Sequence, residues 1–398
     1  MNINENNDFS FKKEIKLFEA FAGIGAQHKA LKNVAKIMNW KIKVVGIIEW
    51  FIPAICSYIE IHSKKTFLKP ISENERQKIL EKNFSLDSKK PVNSKRKSFI
   101  YSQYQEYIER SYKEFSNTFD ISKTQYDEIS KNIDIFTYSF PCQDLSNQGK
   151  QKGMNKNSGT KSSLLWEVER LLKDMNSNWN QKEMPKYLIL ENVPQIINKN
   201  NIKQLEKWIR VLEDLNYETK IYILNSSNFN SCQNRERAYC LSVRKDWKKE
   251  INFQFKNLEK ISNKKIPLNK ILDFNVDKKY FLPLLDKYSK TEFKLTKSNI
   301  NKSRLINYTN FSSEAFIYDP NYNGPTLTAS GANSRIKILT NNKIRRLSPK
   351  ECSLYMGFSE KDYQNIKKTN LSETKIIYLF GNSIVVNVLE EIYKTLRF

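Results

Sequence analysis

The sequence predicts an α/β protein in which a doubly wound, mostly parallel sheet is joined to a smaller domain of irregular and β structure. Short β-favouring runs alternate with helical patterns as far as residue 255, which is typical of a sheet covered by helices on both faces. A glycine-rich turn follows the first run and precedes a helix. Beyond about residue 256 the alternation stops, and polar segments with prolines and short β-like pieces continue to about residue 342.

The elements of the large domain follow from the spacing of its apolar residues. Runs of β-branched and aromatic residues predict strands, whereas apolar residues three and four apart predict helices. The predicted strands are Ile15–Phe21, Lys43–Ile48, Ile133–Phe140, Tyr187–Leu190, Thr219–Leu224 and Ala238–Val243. The main predicted helices between them are Ala26–Met38, Ser163–Met175 and Ile202–Leu215. Strands that are separated by helices in this way predict a parallel sheet.

Two segments do not fit this alternation. A lysine-rich, polar stretch from about residue 68 to 126 predicts an insertion on the large domain, with one amphipathic helix at Tyr101–Phe115. Gly381–Thr395 predicts a turn and an amphipathic helix that docks back on the large domain. We therefore expect a large domain of residues 1–255 plus 375–398, and a small domain of residues 256–374.

The composition excludes several classes of protein. With 398 residues, 39% of them hydrophobic, the chain can bury a substantial core without disulfides. Its five cysteines are widely spaced and contain no CxxC pair, which indicates free thiols in a reducing cytoplasm. Two histidines are too few for us to expect a metal site. The first residues are polar and acidic and no long apolar run appears, so we expect neither a signal peptide nor a membrane span.

The formal net charge of +24 predicts a polyanionic partner. Lysine and arginine side chains that neutralise phosphates release counterions, so the charge favours nucleic acid. The alternative is compositional, because a chain rich in Lys, Asn and Ile is expected from an AT-rich genome and has a lysine-rich surface whatever it binds.

The segment IDIFTYSFPCQ, Ile133–Gln143, places Cys142 in a loop directly after a buried strand. Ligands of open α/β sheets gather at the carboxyl ends of the parallel strands, so this cysteine is a candidate nucleophile. The alternative is an inert, buried cysteine that packs as a small hydrophobic residue.

The turn FAGIG between the first strand and the first helix is a candidate nucleoside site. Its glycines let the backbone approach a ligand closely, and the following helix presents amide groups to it. Glu49, at the end of the second strand, can accept hydrogen bonds from ribose hydroxyls, and Trp50 can cover an adenine. The alternative is a tight turn beside a surface glutamate. The turn residues expected to contact the ligand are Phe21, Ala22, Gly23 and Gly25.

Charged residues at two other strand ends complete the set of candidates. Glu191 ends a strand on the ligand edge of the sheet, where burial would raise its pKa and let it protonate a ring nitrogen of a base. Arg235 and Arg237 precede another strand on one side of it and can hold a polar ring edge or a phosphate. The alternatives are a solvated glutamate and ordinary surface arginines.

Taken in this order, the motifs resemble those of the DNA (cytosine-5) methyltransferase family along the whole chain. The variable stretch between Arg237 and Arg346 lies where that family keeps its target-recognition domain. The resemblance implies a Rossmann-like catalytic domain of residues 1–255 plus 375–398 and a target-recognition domain of residues 256–374. The successive motifs are FAGIG, Glu49-Trp50, FPCQ with Ser146 after it, Glu191-Asn192-Val193, QxRxR at Gln233–Arg237, Arg346–Glu351 with Met356-Gly357-Phe358, and Gly381-Asn382-Ser383.

The resemblance implies S-adenosylmethionine as the cofactor and S-adenosylhomocysteine as the product. It assigns Cys142 to attack on C6 of cytosine, Glu191 to N3, and both Arg235 and Arg237 to holding the base. Further cofactor contacts that it implies are Asp120, Ile121, Pro141, Asn382 and Ser383.

The resemblance also implies a double-stranded DNA substrate, from which the target cytosine must be rotated out of the stack. The family has a mobile loop after the cysteine, which here corresponds to Asp144–Ser158. The expected DNA contacts in this loop are Ser146, Gln148, Lys150 and Lys152. Arg335 can read guanine in the major groove or bind only phosphate. The expected contacts in the small domain are Thr326, Ser330, Asn333, Ser334 and Arg335.

The sequence departs from the family pattern at two positions of the implied cofactor pocket. Ala26 stands where many members carry a further glycine, and Phe119 stands where a glycine usually precedes Asp120. Both departures can change cofactor affinity, and neither touches the nucleophile.

Stretches such as GPTLTASGANSRIK are similar to those of mollicute methyltransferases that modify 5′-CG, so we expect CG specificity. The expected enzyme is a cytoplasmic monomer, with a cognate restriction endonuclease as a candidate partner. One alternative is the tRNA-directed group of the same fold, but the chain has no cysteine between Cys240 and Cys352 for the Cys-Phe-Thr element of that group. The other is a non-catalytic DNA reader, against which the intact Cys142, Glu191 and Arg237 argue.

Overall fold

The structure, a computed structural model, describes residues 13–141, 161–261, 264–311, 314–329 and 336–398. Two sheets are present in these residues. The strands of the larger sheet are β1 Lys13–Ala20, β2 Trp40–Ile48, β3 Ile135–Tyr138, β4 Tyr187–Asn192, β5 Tyr217–Asn225 and β6 Glu236–Arg244. The strands of the smaller sheet are β7 Lys294–Leu295, β8 Asn301–Arg304, β9 Phe316–Tyr318, β10 Lys337–Thr340 and β11 Lys343–Arg346.

The helices lie between the strands and after them. Those of the first part are α1 Ala26–Met38, α2 Ile52–His62, α3 Glu73–Glu81, α4 Ser94–Gln103, α5 Gln105–Phe115, α6 Leu165–Asn178, α7 Ile202–Asp214 and α8 Lys245–Glu250. Those of the second part are α9 Pro283–Asp286, α10 Pro349–Tyr355, α11 Glu360–Lys367, α12 Glu373–Gly381 and α13 Val386–Thr395.

The larger sheet has the strand order β2-β1-β3-β4-β6-β5, which confirms the predicted doubly wound α/β class. Strands β2, β1, β3 and β4 are parallel to one another. The chain leaves β1 toward β2 on one side and then crosses to β3 on the other, so the strand order reverses between β1 and β3. Open α/β sheets bind their ligands at such a reversal, beyond the carboxyl ends of the strands.

Strand β6 differs from the parallel sheet that the sequence predicts, because it runs antiparallel to both β4 and β5. Only residues 226–235 connect β5 to β6. A parallel return needs a crossover of a dozen or more residues, usually through a helix, whereas an antiparallel return needs only a short loop. The direction of β6 brings its first residues to the same edge of the sheet as the last residues of β4.

The predicted insertion folds as helices α3, α4 and α5, which share a hydrophobic cluster with α2. The single helix expected at Tyr101–Phe115 is instead divided between α4 and α5, and Tyr104 lies between them. The amide of Tyr104 donates to the carbonyls of Ile100 and Tyr101, which ends the first helix. Apolar spacing runs through both helices, so it does not show the break.

The smaller sheet has the order β11-β10-β9-β8-β7 and a small core of its own, formed by Leu285, Leu305, Ile317 and Ile344. It lies within the predicted small domain. The helices α10 and α11 belong to the same sequence range but pack against α12 and α2, and their apolar residues join the cluster that contains β1. The division at residue 374 stays a prediction.

The segment Glu373–Thr395 is long and apolar enough to cross a membrane by length and composition alone, but 67% of its apolar 18-residue stretch is buried inside the fold. It consists of two helices, α12 and α13, with residues 382–385 between them. Both helices contribute residues to the main core, and α13 packs on α1. Burial and a break between two helices are typical of core helices. The amphipathic helix predicted at the chain end is α13.

Candidate active site

Three strand ends form the edge at which the candidate residues meet. The register pairs Ala20 of β1 with Tyr138 of β3, and Tyr138 with Leu190 of β4. The FAGIG turn and Phe140-Pro141 therefore follow two adjacent strands at the same level, and Glu191 follows Leu190 in the third. Since these strands lie at the reversal of the sheet order, the fold brings together three segments that the sequence separates widely.

The glycine-rich turn has the backbone that its sequence predicts. Gly23 and Gly25 have φ angles of +56° and +76°, in the left-handed region that side chains disfavour. A Cβ on Gly25 would lie 2.3 Å from His62 Nε2, so a side chain cannot fit there. Among the described residues, no atom beyond Gly23 and its two chain neighbours lies within 4 Å of the corresponding point at Gly23, which leaves room for a ligand. Phe21 also has a positive φ, of 58°.

Glu49 ties this turn to the second strand. One carboxylate oxygen accepts a hydrogen bond of 2.8 Å from the amide of Gly23, and the other accepts one of 2.8 Å from the amide of Phe51. Burial raises the pKa of Glu49, while these two amides and that of Trp50 oppose the shift. Each carboxylate oxygen can accept a second hydrogen bond, so the structure permits the predicted contact with ribose. Trp50 is half-buried beside the main core.

The segment around Asp120 is fixed by amide side chains that the sequence analysis did not single out. Asn83, from the insertion, donates to Asp120 Oδ2 over 2.6 Å. Asn117 accepts from the amide of Glu49 and donates to its carbonyl, which joins this segment to the end of β2. Phe119 has a φ of +63° and packs against Phe84 with ring centroids 5.1 Å apart. A positive φ favours glycine, which usually precedes this aspartate in the family. Phe119 therefore adopts the backbone conformation that accounts for the usual glycine.

The residue Cys142 lies outside the described residues, as do Ser146, Gln148, Lys150 and Lys152, but the two residues before the cysteine are held firmly. The carbonyl of Phe140 accepts a 3.1 Å hydrogen bond from Asn192 Nδ2. The carbonyl of Pro141 accepts a 2.9 Å hydrogen bond from Ser162 Oγ. Asn192 directly follows Glu191, so the end of β4 positions both the carboxylate and the backbone two residues before Cys142.

The other four cysteines are buried, which distinguishes them from a reactive thiol. Burial raises the thiol pKa of both Cys232 and Cys240 to about 12. Burial also raises the pKa of Cys56 well above its ordinary value. Thiols that stay protonated at neutral pH are poor nucleophiles, so Cys56, Cys232 and Cys240 are not candidates for the nucleophile.

Glu191 and Arg237 form an ion pair at the carboxyl edge of β4. Arg237 Nε lies 3.3 Å from Glu191 Oε1, and the two side chains are 16% and 11% exposed, respectively. Burial raises the pKa of Glu191, and the charges of Arg237 and Arg235 oppose the shift. The antiparallel direction of β6 is what places Arg237 at this edge.

Arg235 is held by three backbone carbonyls, and its predicted contact with the base stays a prediction. Its guanidinium donates 2.7 Å to the carbonyl of Leu327, 3.1 Å to that of Gly381 and 3.0 Å to that of Ser383. The residue is only 5% exposed. It therefore connects the start of β6 to the segment between β9 and β10 and to the end of α12. Arg237, in contrast, contacts Glu191.

The remaining predicted residues make contacts with backbone carbonyls, are buried in the core or lie outside the described residues. Thr326 donates to the carbonyl of Asn234 over 2.8 Å, and Asn382 donates to that of Tyr378 over 3.2 Å. Ile121 is buried in the core. Gln233 was quoted only as part of a motif, yet its amide accepts from Leu327 and donates to Tyr355. Outside the described residues lie Ser330, Asn333, Ser334 and Arg335.

The groups around the FAGIG turn fit an adenosyl cofactor. The space beside Gly23 is open, and the N-cap residue of α1 is Gly25, which provides no side-chain cap. Glu49 offers acceptor capacity at the neighbouring strand end. Across the described residues there is no cluster of three or more histidine, cysteine or acidic side chains that could hold a metal ion.

Known proteins of one family are similar to this chain. Residues 92–397 match the model of C-5 cytosine-specific DNA methylases. The chain belongs to that family. As a family member, it is a DNA cytosine-5 methyltransferase that uses S-adenosylmethionine.

Two curated relatives extend the match to nearly the full chain of this methyltransferase. It is 45% identical to the orphan methyltransferase M.SssI of Spiroplasma monobiae, over 96% of each chain. It is 30% identical to the type II methyltransferase M2.ScrFI of Lactococcus lactis subsp. cremoris, over 96% of this chain and 99% of the relative. Among solved structures, the S. pombe Dnmt2 methyltransferase shares the fold, with a TM-score of 0.60, 16% identity and coverage of 96% and 97%.

Proposed function

We propose that this methyltransferase modifies cytosine in 5′-CG sequences of double-stranded DNA, with Cys142 as the nucleophile and Glu191 as the acid. The observation that carries the residue assignment is the largely buried Glu191–Arg237 pair, one strand away from Phe140 and Pro141, the two residues before Cys142. The CG specificity is supported by the similarity of GPTLTASGANSRIK to the mollicute enzymes.

The chemistry follows from the poor nucleophilicity of cytosine C5. The Cys142 thiolate adds to C6, and the electron pair displaced from the C5–C6 bond makes C5 an enamine carbon. Glu191 donates its proton to N3 and so stabilises the charge that develops there. S-adenosylmethionine, when bound, would supply the methyl group to C5 and leave as S-adenosylhomocysteine. A base then removes the C5 proton, the C6–S bond breaks to restore the thiolate, and N3 returns its proton to Glu191.

The chain's own residues prepare this reaction in three ways. Burial keeps a proton on Glu191 to higher pH than in water. Arg237 holds the carboxyl group from one side and can contact the polar edge of the base. Asn192 and Ser162 fix the two carbonyls before Cys142 and are positioning residues, since neither is expected to touch the base.

Transfer of a tritiated methyl group tests the proposal on three substrates. These are duplex DNA containing CG, the same DNA already methylated at CG, and tRNA. We expect incorporation on the first substrate alone. Incorporation that survives premethylation would contradict CG specificity, incorporation on tRNA would favour the tRNA-directed alternative, and none on any substrate would favour a DNA reader.

Assembly and location belong to the same proposal. We infer a cytoplasmic monomer, which light scattering during size-exclusion chromatography tests directly. A cognate restriction endonuclease is a candidate partner, because one relative is named a type II methyltransferase while another is named an orphan. A nuclease in the same cells that cuts only unmodified CG sites would support that partner.

A further inference from the structure

Both histidines of the chain lie together in the interior, directly beneath the FAGIG turn. His28 of α1 and His62 of α2 are 8% and 6% exposed. Their rings are stacked, with centroids 4.2 Å apart and planes 17° from parallel. None of the catalytic steps uses either side chain, so this buried pair requires a separate explanation.

His62 contacts the turn itself. Its Nε2 lies 3.2 Å from the carbonyl oxygen of Ile24. A carbonyl can only accept, so Nε2 carries the hydrogen. The other ring nitrogen, Nδ1, is buried and has no hydrogen-bond partner among the described residues. A hydrogen on Nδ1 would be a buried donor without an acceptor, so the contact with Ile24 and the burial of Nδ1 select the same tautomer.

His62 also fills the place that a side chain at Gly25 would need. Its Nε2 is the atom 2.3 Å from the ideal Cβ position there, and Tyr58 Cε2 lies 2.7 Å from the same point. The turn therefore rests on α2 through a close backbone contact and a hydrogen bond. A change at His62 alters the support on which the left-handed backbone of Gly25 depends.

A chain of hydrogen bonds connects this support to the end of β1. Tyr58 donates to Glu19 Oε2 over 2.6 Å, and its oxygen lies 3.1 Å from His28 Nδ1. Glu19 Oε1 accepts from the amide of His28 in the first turn of α1, at 3.2 Å. Glu19 is fully buried and precedes Phe21 by two residues. The network therefore joins the strand before the turn, the helix after it, and α2 below it.

The electrostatics favour neutral imidazoles in this network. Burial lowers the pKa of His62 to about 3, and burial with the neighbouring His62 lowers that of His28 well below its ordinary value. Lys29 and Lys32 of α1 act in the same direction on both rings. Burial raises the pKa of Glu19 to about 7, against the hydrogen bonds from Tyr58 and His28. The other titratable group that faces Glu19 is Tyr393 of α13.

We propose that His62 is a positioning residue for the cofactor. Its neutral imidazole holds the Ile24 carbonyl and thereby sets the direction of the turn amides that meet S-adenosylmethionine. This proposal rests on the assignment of the FAGIG turn to the cofactor, which Glu49 tests independently. Loss of the hydrogen bond weakens cofactor binding and leaves the chemistry of Cys142 and Glu191 unchanged.

Two variants separate the hydrogen bond from simple packing. His62→Leu keeps a side chain that fills much of the same space but removes the donor, whereas His62→Gln retains an amide donor. In the full-length protein without DNA, we expect the Kd for S-adenosylmethionine to rise about ten-fold in His62→Leu and less than about three-fold in His62→Gln. With saturating cofactor, kcat should stay within about two-fold of wild type in both, because the chemical step does not involve His62.

Two further variants serve as controls. Leu212→Ala lies in α7, away from the turn, and reports what general destabilisation does to the Kd; we expect no change. Glu49→Gln weakens the Gly23 contact and should raise the Kd if the turn binds the cofactor. If Glu49→Gln raises the Kd and His62→Leu does not, the His62 proposal is wrong. If neither does, the assignment of the turn is wrong.

A measurement on the wild-type chain avoids any variant that fails to fold. Because the protein contains two histidines, ¹⁵N-histidine labelling of a tag-free sample gives two ring systems. We expect His62 as the Nε2–H tautomer, neutral from pH 8 down to about pH 5. An imidazole of His62 that titrates near its ordinary pKa, or that carries its hydrogen on Nδ1, would overturn the proposal.

Discussion

The two sides of the carboxyl edge use their carboxylates differently. On the cofactor side, Glu49 and Asp120 accept hydrogen bonds from backbone amides and from amide or hydroxyl side chains. On the base side, Glu191 faces the charged guanidinium of Arg237. A carboxylate that is held by amides defines the shape of a pocket. One that is buried beside charged guanidinium groups can gain and lose a proton during a reaction.

The difference also separates the two arginines of the QxRxR motif. Arg237 lies at the reacting edge, whereas Arg235 is committed to three carbonyl groups from separate segments. Two arginines that lie two positions apart in one motif thus have different contacts. Substitutions can test whether the division into a shape-defining side and a reacting side is real.

The largest effect is expected from Cys142→Ala. Removal of the nucleophile should lower kcat by roughly a thousand-fold or more, because the enamine cannot form. The Kd for S-adenosylmethionine should stay unchanged, since the cofactor side does not depend on the thiol. Isothermal titration and methyl transfer on the same preparation measure both. Cys56→Ala removes a buried thiol away from the edge and should retain activity; retained activity in Cys142→Ala would exclude this cysteine as the nucleophile.

The substitution Glu191→Gln should lower kcat by about a hundred-fold or more while cofactor binding is preserved. Burial raises the pKa of Glu191, so the protonated form persists to higher pH than in water. The rate that depends on this proton is complete below the raised pKa and is lost as pH rises through it. The thiolate has the opposite requirement, so kcat should pass through a maximum with pH. A descending limb that persists in Glu191→Gln would show that another group causes it.

The arginines should separate stability from catalysis. Arg235→Met leaves three buried carbonyls without their donor and should lower the free energy of unfolding by about 3 kcal/mol. Arg237→Met should cost about 1 kcal/mol or less in stability, because it removes one ion pair and the buried Glu191 can take up a proton, but it should lower kcat strongly. Urea unfolding and kinetics on both variants provide the comparison. Equal losses of stability would remove the distinction drawn between the two residues.

The sequence was sufficient for the parts of the fold that alternate. The strands around FAGIG, FPC and Glu191 were predicted because their apolar runs are short and bounded, and the confirmed α/β class follows from them. Helix α2 was missed because all eleven of its residues are buried, so it has no polar face from which a helical period can be recognised. The direction of β6 was missed, although the connection before it is too short for a parallel return and so indicates an antiparallel strand.

The candidate site was predictable where a residue type has a distinctive chemistry and a position at a strand end. Glu191 and Arg237 lie together as strand-end reasoning suggests. Asn83, Asn117 and Ser162 could not be found in this way, because an asparagine or serine is common in loops and its partner lies far along the chain. The role of Arg235 depends on carbonyls from two distant segments, which no local pattern reports.

The smallest effect is expected from Ser162→Ala, which tests how the reacting side is held. Ser162 Oγ donates to the carbonyl of Pro141, the residue before Cys142, and is fully buried. Loss of this hydrogen bond should cost about 1 kcal/mol and lower kcat by roughly five-fold. Ser162→Thr retains the hydroxyl and should recover most of the rate, while the Kd for S-adenosylmethionine should not change in either variant. A reduced kcat that threonine does not restore would assign the effect to packing. An altered Kd with an unchanged kcat would place Ser162 on the cofactor side, because a contact that positions only the nucleophile acts after both substrates have bound.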